Sequence, residues 1–495
     1  MRDQMKYLLI LFFLISANTA RTQNEIDVLR YSTTDIYGSA RVSAMAGSFG
    51  ALGADISSAL INPAGLGRYS KSDFAVSFSN SATSTMATYN GTTVSEKSNR
   101  LHLNNLGFVF TNDLSRTNSG RKYGQFTVTY NRLQNFNNVK RYEGQNFYSL
   151  LDVFANLGQG ISPEFIYDDR PFTTGLAYDV FALDYDQASG SYVSRLTLGD
   201  NYHNRQINTE GGMGEFSIGY SENYLNKLYY GFNVGIRTIN YNEEYFHEET
   251  LLEPGESTLR SFDYDYGLNT GGTGFNLKLG ILYLPTADIR LGLAYESPTL
   301  YNLNDTWTAN MTATHNYGVE SINPIDIPEG EFDYRLVTPM KLRGSFAYII
   351  NLRGAINVDL ELARFGQGLL RPSSSSNLFD PYDYAFENAE VYNQYRTVLN
   401  TRVGAEYMIL RDIYLRGGFA LLPQPFERGL NSNLSINYIL SGGIGYETDL
   451  IRIDLALRHL RMDSNYFSFD PSQIENRTVF NTTINNLAFS FAYKF

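Results

Sequence analysis

The segment Leu487-Ala488-Phe489-Ser490-Phe491-Ala492-Tyr493-Lys494-Phe495 decides how the rest of the chain is read. Its odd positions are large and apolar; its even positions are small or charged. A period of two puts these sets on opposite faces of a strand. The alternation recurs upstream. Ile451, Ile453, Leu455 and Leu457 alternate with Arg452, Asp454, Ala456 and Arg458, and Ile356, Val358, Leu360 and Leu362 with Asn357, Asp359, Glu361 and Ala363. Phe275, Leu277, Leu279, Ile281 and Tyr283 form a third apolar set, facing away from Asn276, Lys278 and Gly280.

About fourteen such strands are predicted between residues 74 and 495. Most exceed the about five or six residues of soluble strands and suit the roughly nine to eleven that cross a bilayer at a tilt. Short links at 285–287, 351–352 and 448–449 follow even-numbered strands. Long ones at 135–210, 301–332, 366–392 and 466–482 follow odd-numbered strands. Short turns at one rim and long loops at the other describe a transmembrane antiparallel β-barrel. The expected fold is all-β: a barrel of about 14 strands over 73–495 in a Gram-negative outer membrane, both termini periplasmic. Lys278, Arg290, Arg343, Asp359, Glu361, Arg402, Glu406, Arg416 and Asp454 fall on its lumen face. Buried there, they need partners.

Composition fits. The chain has 495 residues, with 38 Tyr, 32 Phe, one Trp, no Cys and a net charge of −12. Tyr and Phe suit aromatic girdles at a lipid–water boundary, and an acidic chain without a basic stripe excludes nucleic acid as a partner. Arg2 and Lys6 precede an apolar run over 7–17 and small residues over 16–20. This reads as a secretory signal peptide over 1–22. No later run of about 18 apolar residues predicts a spanning helix.

Residues 23–72 do not alternate. They contain Gly50-Ala51-Leu52-Gly53-Ala54-Asp55 and then Asn62-Pro63-Ala64-Gly65. Neither is a phosphate loop, because the Gly-Lys-Ser/Thr ending is missing. A small-residue stretch closing on Ala-Asp, with Asn-Pro-Ala-Gly shortly before the first barrel strand, resembles the FadL/TodX hydrophobic-compound transporters of Gram-negative outer membranes. It looks most like their Bacteroidetes members. The resemblance is specific over 24–70 and topological beyond. It implies that Gly53, Asp55, Asn62, Pro63, Ala64 and Gly65 sit in a hatch folded inside the lumen of a monomeric barrel. It also implies passive uptake of small hydrophobic compounds such as long-chain fatty acids, with no cofactor. The resemblance extends to secretion-associated barrels of the PorV type, so a surface barrel that binds or shuttles secreted proteins stays open as the second expectation.

Other motifs are read beside it. In the 135–210 segment, Phe147, Leu150, Leu151, Phe154 and Leu157 have helix-like spacing; they suit a helix packed on the loop crown, or capture of a hydrophobic ligand. Tyr493 and Phe495 resemble the C-terminal signal recognised by barrel assembly machinery, and the barrel's surroundings would be outer-membrane lipid and lipopolysaccharide. His102, His203, His247, His315 and His459 are scattered, with no nucleophile–base arrangement, so no enzyme is expected. Glu243, Glu244, His247, Glu248 and Glu249 are read as a solvated loop face rather than a divalent-cation site.

Overall fold

Asp73 pairs with Lys494, and Thr88 with Val479, so the first strand of the sheet meets the last and the sheet closes on itself. Closure gives every strand edge a partner, the condition for crossing lipid with strands. The computed structural model describes residues 25–117, 119–196, 201–253, 257–323, 327–373, 382–427, 435–468 and 477–495. The expected signal peptide lies outside the described residues.

Fourteen antiparallel staves form the wall. They are β1 (Asp73–Tyr89), β2 (Thr92–Asp113), β3 (Arg121–Asn135, continued by Asn138–Asn146), β4 (Asn201–Tyr224), β5 (Leu228–Leu251) and β6 (Leu259–Tyr283). Then follow β7 (Ile289–Glu296, continued by Leu300–His315), β8 (Glu329–Val337, continued by Lys341–Ile350) and β9 (Gly354–Arg364, continued by Leu369–Pro372). The last five are β10 (Thr397–Leu410), β11 (Ile413–Leu422), β12 (Asn437–Glu447), β13 (Ile451–Phe467) and β14 (Arg477–Lys494). The expected 14-strand barrel is the observed fold, with a short helical segment before it.

The outer surface marks where lipid ends. On β5, Leu228, Tyr230, Phe232, Val234 and Ile236 face outward, followed by Thr238, Asn240, Asn242 and Glu244. On β6 the outward series runs Tyr283, Ile281, Leu279, Leu277, Phe275, then Thr273. Ile236 pairs with Phe275 and Thr238 with Thr273, so the change from apolar to polar occurs in register. Nine residues at about 3.3 Å rise and a tilt of about 40° give roughly 23 Å, close to the apolar band of outer-membrane barrels.

Above that edge the sheet continues. Asn138–Asn146 pairs with 201–209, inside the segment expected to be a loop, and Leu300–His315 pairs with β6 through the start of the expected 301–332 loop. The hydrogen-bond ladder does not need lipid, whereas the outward apolar residues that trace a strand in the sequence do. Asn302, Asn304, Thr306 and Thr308 therefore look like loop and are strand.

Candidate functional site

The lumen is occupied by 25–72, with 33–72 in its lower part. This segment forms α1 (Glu25–Ser32), α2 (Ala40–Ala44), α3 (Ser58–Ile61) and a 3-10 turn over Pro63–Arg68. Asn62 organises the turn. Its Oδ1 accepts from the Ala64 N–H at 3.2 Å, while its Nδ2 donates to the Gly50 carbonyl at 2.8 Å and to the wall carbonyl of Ile281 at 3.3 Å. Pro63 sits at the first position of the turn, where its missing N–H costs nothing. The Ala54 N–H donates to the Gly65 carbonyl at 3.0 Å. Gly53, at φ +72°, lies so close that a Cβ there would stand 2.6 Å from that carbonyl oxygen. Asp55 accepts from Ser39 Oγ at 2.9 Å and from the Ser57 N–H at 2.9 Å, and it pairs with Arg452 of β13 at 2.9 Å. All six residues singled out in the sequence thus meet in one folded unit.

The wall is cut to receive this unit, a feature sequence reasoning missed. A Cβ on Gly280 would lie 2.1 Å from Asn62 Oδ1, one on Gly231 2.7 Å from the Pro63 carbonyl oxygen, and one on Gly292 2.7 Å from that of Gly50. Across the lumen, Gly404 and Gly418 face Met45, and Gly443 faces Ala44. The available signal was glycine at inward positions inside strands, where it otherwise weakens a sheet.

Charge completes the fit. Arg458 pairs with Asp35 at 2.5 Å and Glu406 with Arg41 at 2.5 Å. Arg290, Arg343 and Arg402 donate to the carbonyls of Leu52, Ile61 and Ala46, and Asp359 accepts from the Phe49 and Gly50 N–H groups at 2.8 and 3.1 Å. The remaining predicted lumen charges pair across the wall: Lys278 with Glu215, Arg343 with Glu361, and Arg416 with Glu406 and Asp454. Burial opposes ionisation of Asp35, but the Arg458 and Arg402 guanidiniums outweigh it and hold its carboxyl below the usual range.

Above the hatch the lumen changes character. Tyr241, Leu268, Tyr301, Leu303, Tyr334 and Leu336 point inward and belong to one buried apolar cluster with Val28 and Tyr31 of α1. Val28 is 1% exposed and Tyr31 0%. The Arg30 guanidinium lies 4.3 Å from the Tyr241 ring centroid. The chamber is thus apolar where the outer wall is polar, and a short helix of the chain's own fills it.

Two neighbouring staves break at the junction of these regions. β7 is interrupted at 297–299 and β8 at 338–340. Pro298 and Pro339 lie in the breaks and cannot donate to the ladder. Hydrogen bonds from Thr338 N–H to the Thr299 carbonyl (3.0 Å) and from Thr299 N–H to Thr338 Oγ1 (2.9 Å) bridge the gap. On the lipid side a groove of about 410 Å³ runs between Phe232, Ile281, Leu293 and Leu342, over Gly231 and Gly280. Those two glycines have Asn62 and Pro63 directly behind them. Only the backbone of the wall separates the hatch motif from the membrane there.

At the long-connection rim, a crown forms around α4 (Leu150–Leu157), whose start is closed by a capping box between Ser149 and Asp152. Leu150, Leu151 and Phe154 are buried with Leu176, Tyr192, Phe262 and Tyr264; Phe147 and Leu157 are exposed. The acidic run is strand, not loop. Alternation turns Glu244 and Glu248 outward and buries His247 and Glu249. His203, His247 and Glu249 bring ligand atoms within 4.8 Å of one another, among the described residues the one such group. Arg205 Nε, which can only donate, lies 3.1 Å from His247 Nδ1. The proton of a neutral His247 then sits on Nε2, which donates to Glu249 at 2.8 Å. Glu249 also accepts from the Leu150 N–H at 2.8 Å. The cluster anchors α4 to the wall, and the permanent Arg205 cation occupies the His247 Nδ1 lone pair. At the other rim Tyr493 and Phe495 face outward with stacked rings, 6.2 Å between centroids.

No family model matches the chain, and no curated protein matches it. Its fold is similar to that of solved outer-membrane channels at low sequence identity. The toluene transporter TodX of Pseudomonas putida superposes with a TM-score of 0.55 at 14% identity, covering 93% of this chain and 99% of that one. A FadL homologue of Pseudomonas aeruginosa gives 0.54 at 13% identity, covering 93% and 98%. These similar structures are channels, and the fold they share with this chain is the mostly-β, closed 14-strand barrel with an N-terminal helical segment.

Proposed function

We propose that this protein is an outer-membrane transport protein for passive uptake of small hydrophobic compounds such as long-chain fatty acids, working as a monomer with its termini in the periplasm. The observation that carries this reading is the apolar upper chamber held by α1. An apolar interior above the lipid belt serves no lipid contact, and its present occupant offers only Val28 and Tyr31 as buried apolar anchors. A hydrophobic guest of similar bulk can exchange with that helix without exposing the chamber to water. Passage beyond it requires the Asn62–Gly65 turn to leave its glycine seats, and the break in β7 and β8 offers the thinnest wall for release into lipid. That TodX is a toluene transporter supports the same class of cargo. Phe147 and Leu157, exposed on the crown, are the first capture contacts in this scheme. Tyr493 and Phe495 present the signal read by the assembly machinery, and lipid and lipopolysaccharide surround the wall.

Uptake of labelled decanoate and toluene into vesicles tests the proposal, comparing the intact chain with one lacking 25–32 and one lacking 25–70. The intact chain should bind and pass an apolar compound, loss of α1 should raise binding, and loss of the whole hatch should abolish control. A second reading, a barrel that binds secreted proteins, is favoured by the exposed Phe165, Tyr167, Phe181 and Val193 of the crown. No binding of any apolar compound, together with co-purification of a secreted protein, would establish it instead.

A further inference from the structure

At the short-turn mouth, below the hatch, a cavity of about 280 Å³ is lined by Arg41, Arg68, Arg290 and Arg353, with Glu406 and Glu447 as its carboxylates. Both carboxylates are engaged. Glu406 pairs with Arg41 and Arg416, and Glu447 with Lys494 at 2.6 Å. Three guanidiniums are left over. Arg68 lies 5.6 Å from the Tyr229 ring centroid and makes no ion pair among the described residues. Arg290 donates to the Leu52 carbonyl, and its Nε is buried without a partner. Arg353, on the turn between β8 and β9, is exposed and makes no ion pair among the described residues. Burial, and then the neighbouring Arg41 charge, hold the Arg68 guanidinium below its usual range.

Like charges gathered in a half-buried cavity repel one another and lose hydration, a cost that a bound anion would offset. Arg343 and Arg416 elsewhere in the lumen each have a carboxylate, whereas both carboxylates of this cavity are already engaged and none is left for Arg68, Arg290 or Arg353. Guanidinium forks bind planar oxyanions with two hydrogen bonds at once. We propose that Arg68, Arg290 and Arg353 form an oxyanion site at the short-turn mouth, which takes the carboxylate or phosphate group of an amphipath or of a free anion. Leu52, Ile349 and Leu352 beside it supply apolar surface for an attached tail. The site would attract the charged end of a molecule arriving from below the hatch, and it does not depend on the transport reading.

The test uses the full chain in an uncharged detergent, titrated with inorganic phosphate (phosphorus NMR line width) and, separately, with decanoate and decanol (calorimetry). Arg353→Gln leaves the hatch contacts untouched and guards against a folding artefact; Arg68→Gln with Arg353→Gln removes two of the three cations. Phosphate and decanoate affinity should fall at least tenfold in the double variant and weaken with salt, while decanol binding stays unchanged. If decanoate alone responds, the site reads an amphipath's head group; if phosphate responds equally, a free anion suffices. Both outcomes support the site. Phosphate and decanoate affinities equal in wild type and double variant overturn it, and decanol binding then still reports on the apolar chamber separately.

Discussion

The lower and upper lumen share one barrel and one apolar cluster, yet hold the N-terminal segment with a different balance of contacts. Below, the hatch is fixed by ion pairs such as Asp55–Arg452 and Asp35–Arg458 and by glycines that admit one backbone shape. Above, α1 is held mainly by apolar contact, with Arg30 over the Tyr241 ring and 3.9 Å from Glu243, and with Tyr395 donating to the Glu25 carbonyl at the helix start. Polar contacts fail when geometry shifts by an ångström, whereas apolar contact tolerates a change of occupant. On the proposed transport reading, the contrast would give specificity to the hatch and exchange to the chamber.

Asp55→Ala should break the contrast most strongly. It leaves buried Arg452 with Asp454 at 3.4 Å as its remaining carboxylate, a loss of about 3 kcal/mol, and protease should then cut within 40–70. A hatch as protected as in wild type would remove the lock from the comparison. Next, Gly280→Val should unseat Asn62 at a cost of about 1–3 kcal/mol. Gly271→Ala, with nothing within 4 Å of the added Cβ, should leave the hatch unmoved; hydrogen exchange of 50–66 separates the two. In the chamber, Val28→Asp should expel α1 without unfolding the wall. Because an occupied chamber lowers apparent affinity, decanol should then bind several-fold more tightly, and weaker binding would make α1 part of the ligand site rather than its competitor. The smallest effect concerns acid. Asp35 is held below the usual range, so its contribution is full above about pH 4 and fades as pH falls through its lowered value. Exchange protection of 33–40 should hold at about pH 5 and drop near pH 3, a drop that Asp35→Asn removes.

Barrel and strand count were legible because lipid imposes a strict alternation on the outward face, as in Leu487–Phe495. Gly53, Asp55 and Asn62 to Gly65 were singled out by the family resemblance; their local chemistry alone indicated no more than a turn and a close approach of backbones. The raised wall was not. Once Thr238 and Asn302 face water, outward residues carry no apolar signature. Nor was the apolar chamber, because Tyr301 and Tyr334 in isolation look like girdle residues; only the register past Pro298 and Pro339 turns them inward. Leu150, Leu151 and Phe154 had the spacing of a packed helix, and the crown core is where the structure puts them.

The height of β5 has a further consequence. Residues 237–251 add about 38 Å of wall above the apolar belt, at about 3.3 Å per residue and the same tilt. On the outer-membrane reading, the barrel is then a chimney whose mouth opens well above the lipid head groups. A greasy molecule entering that mouth travels past side chains before it reaches the depth of the lipid.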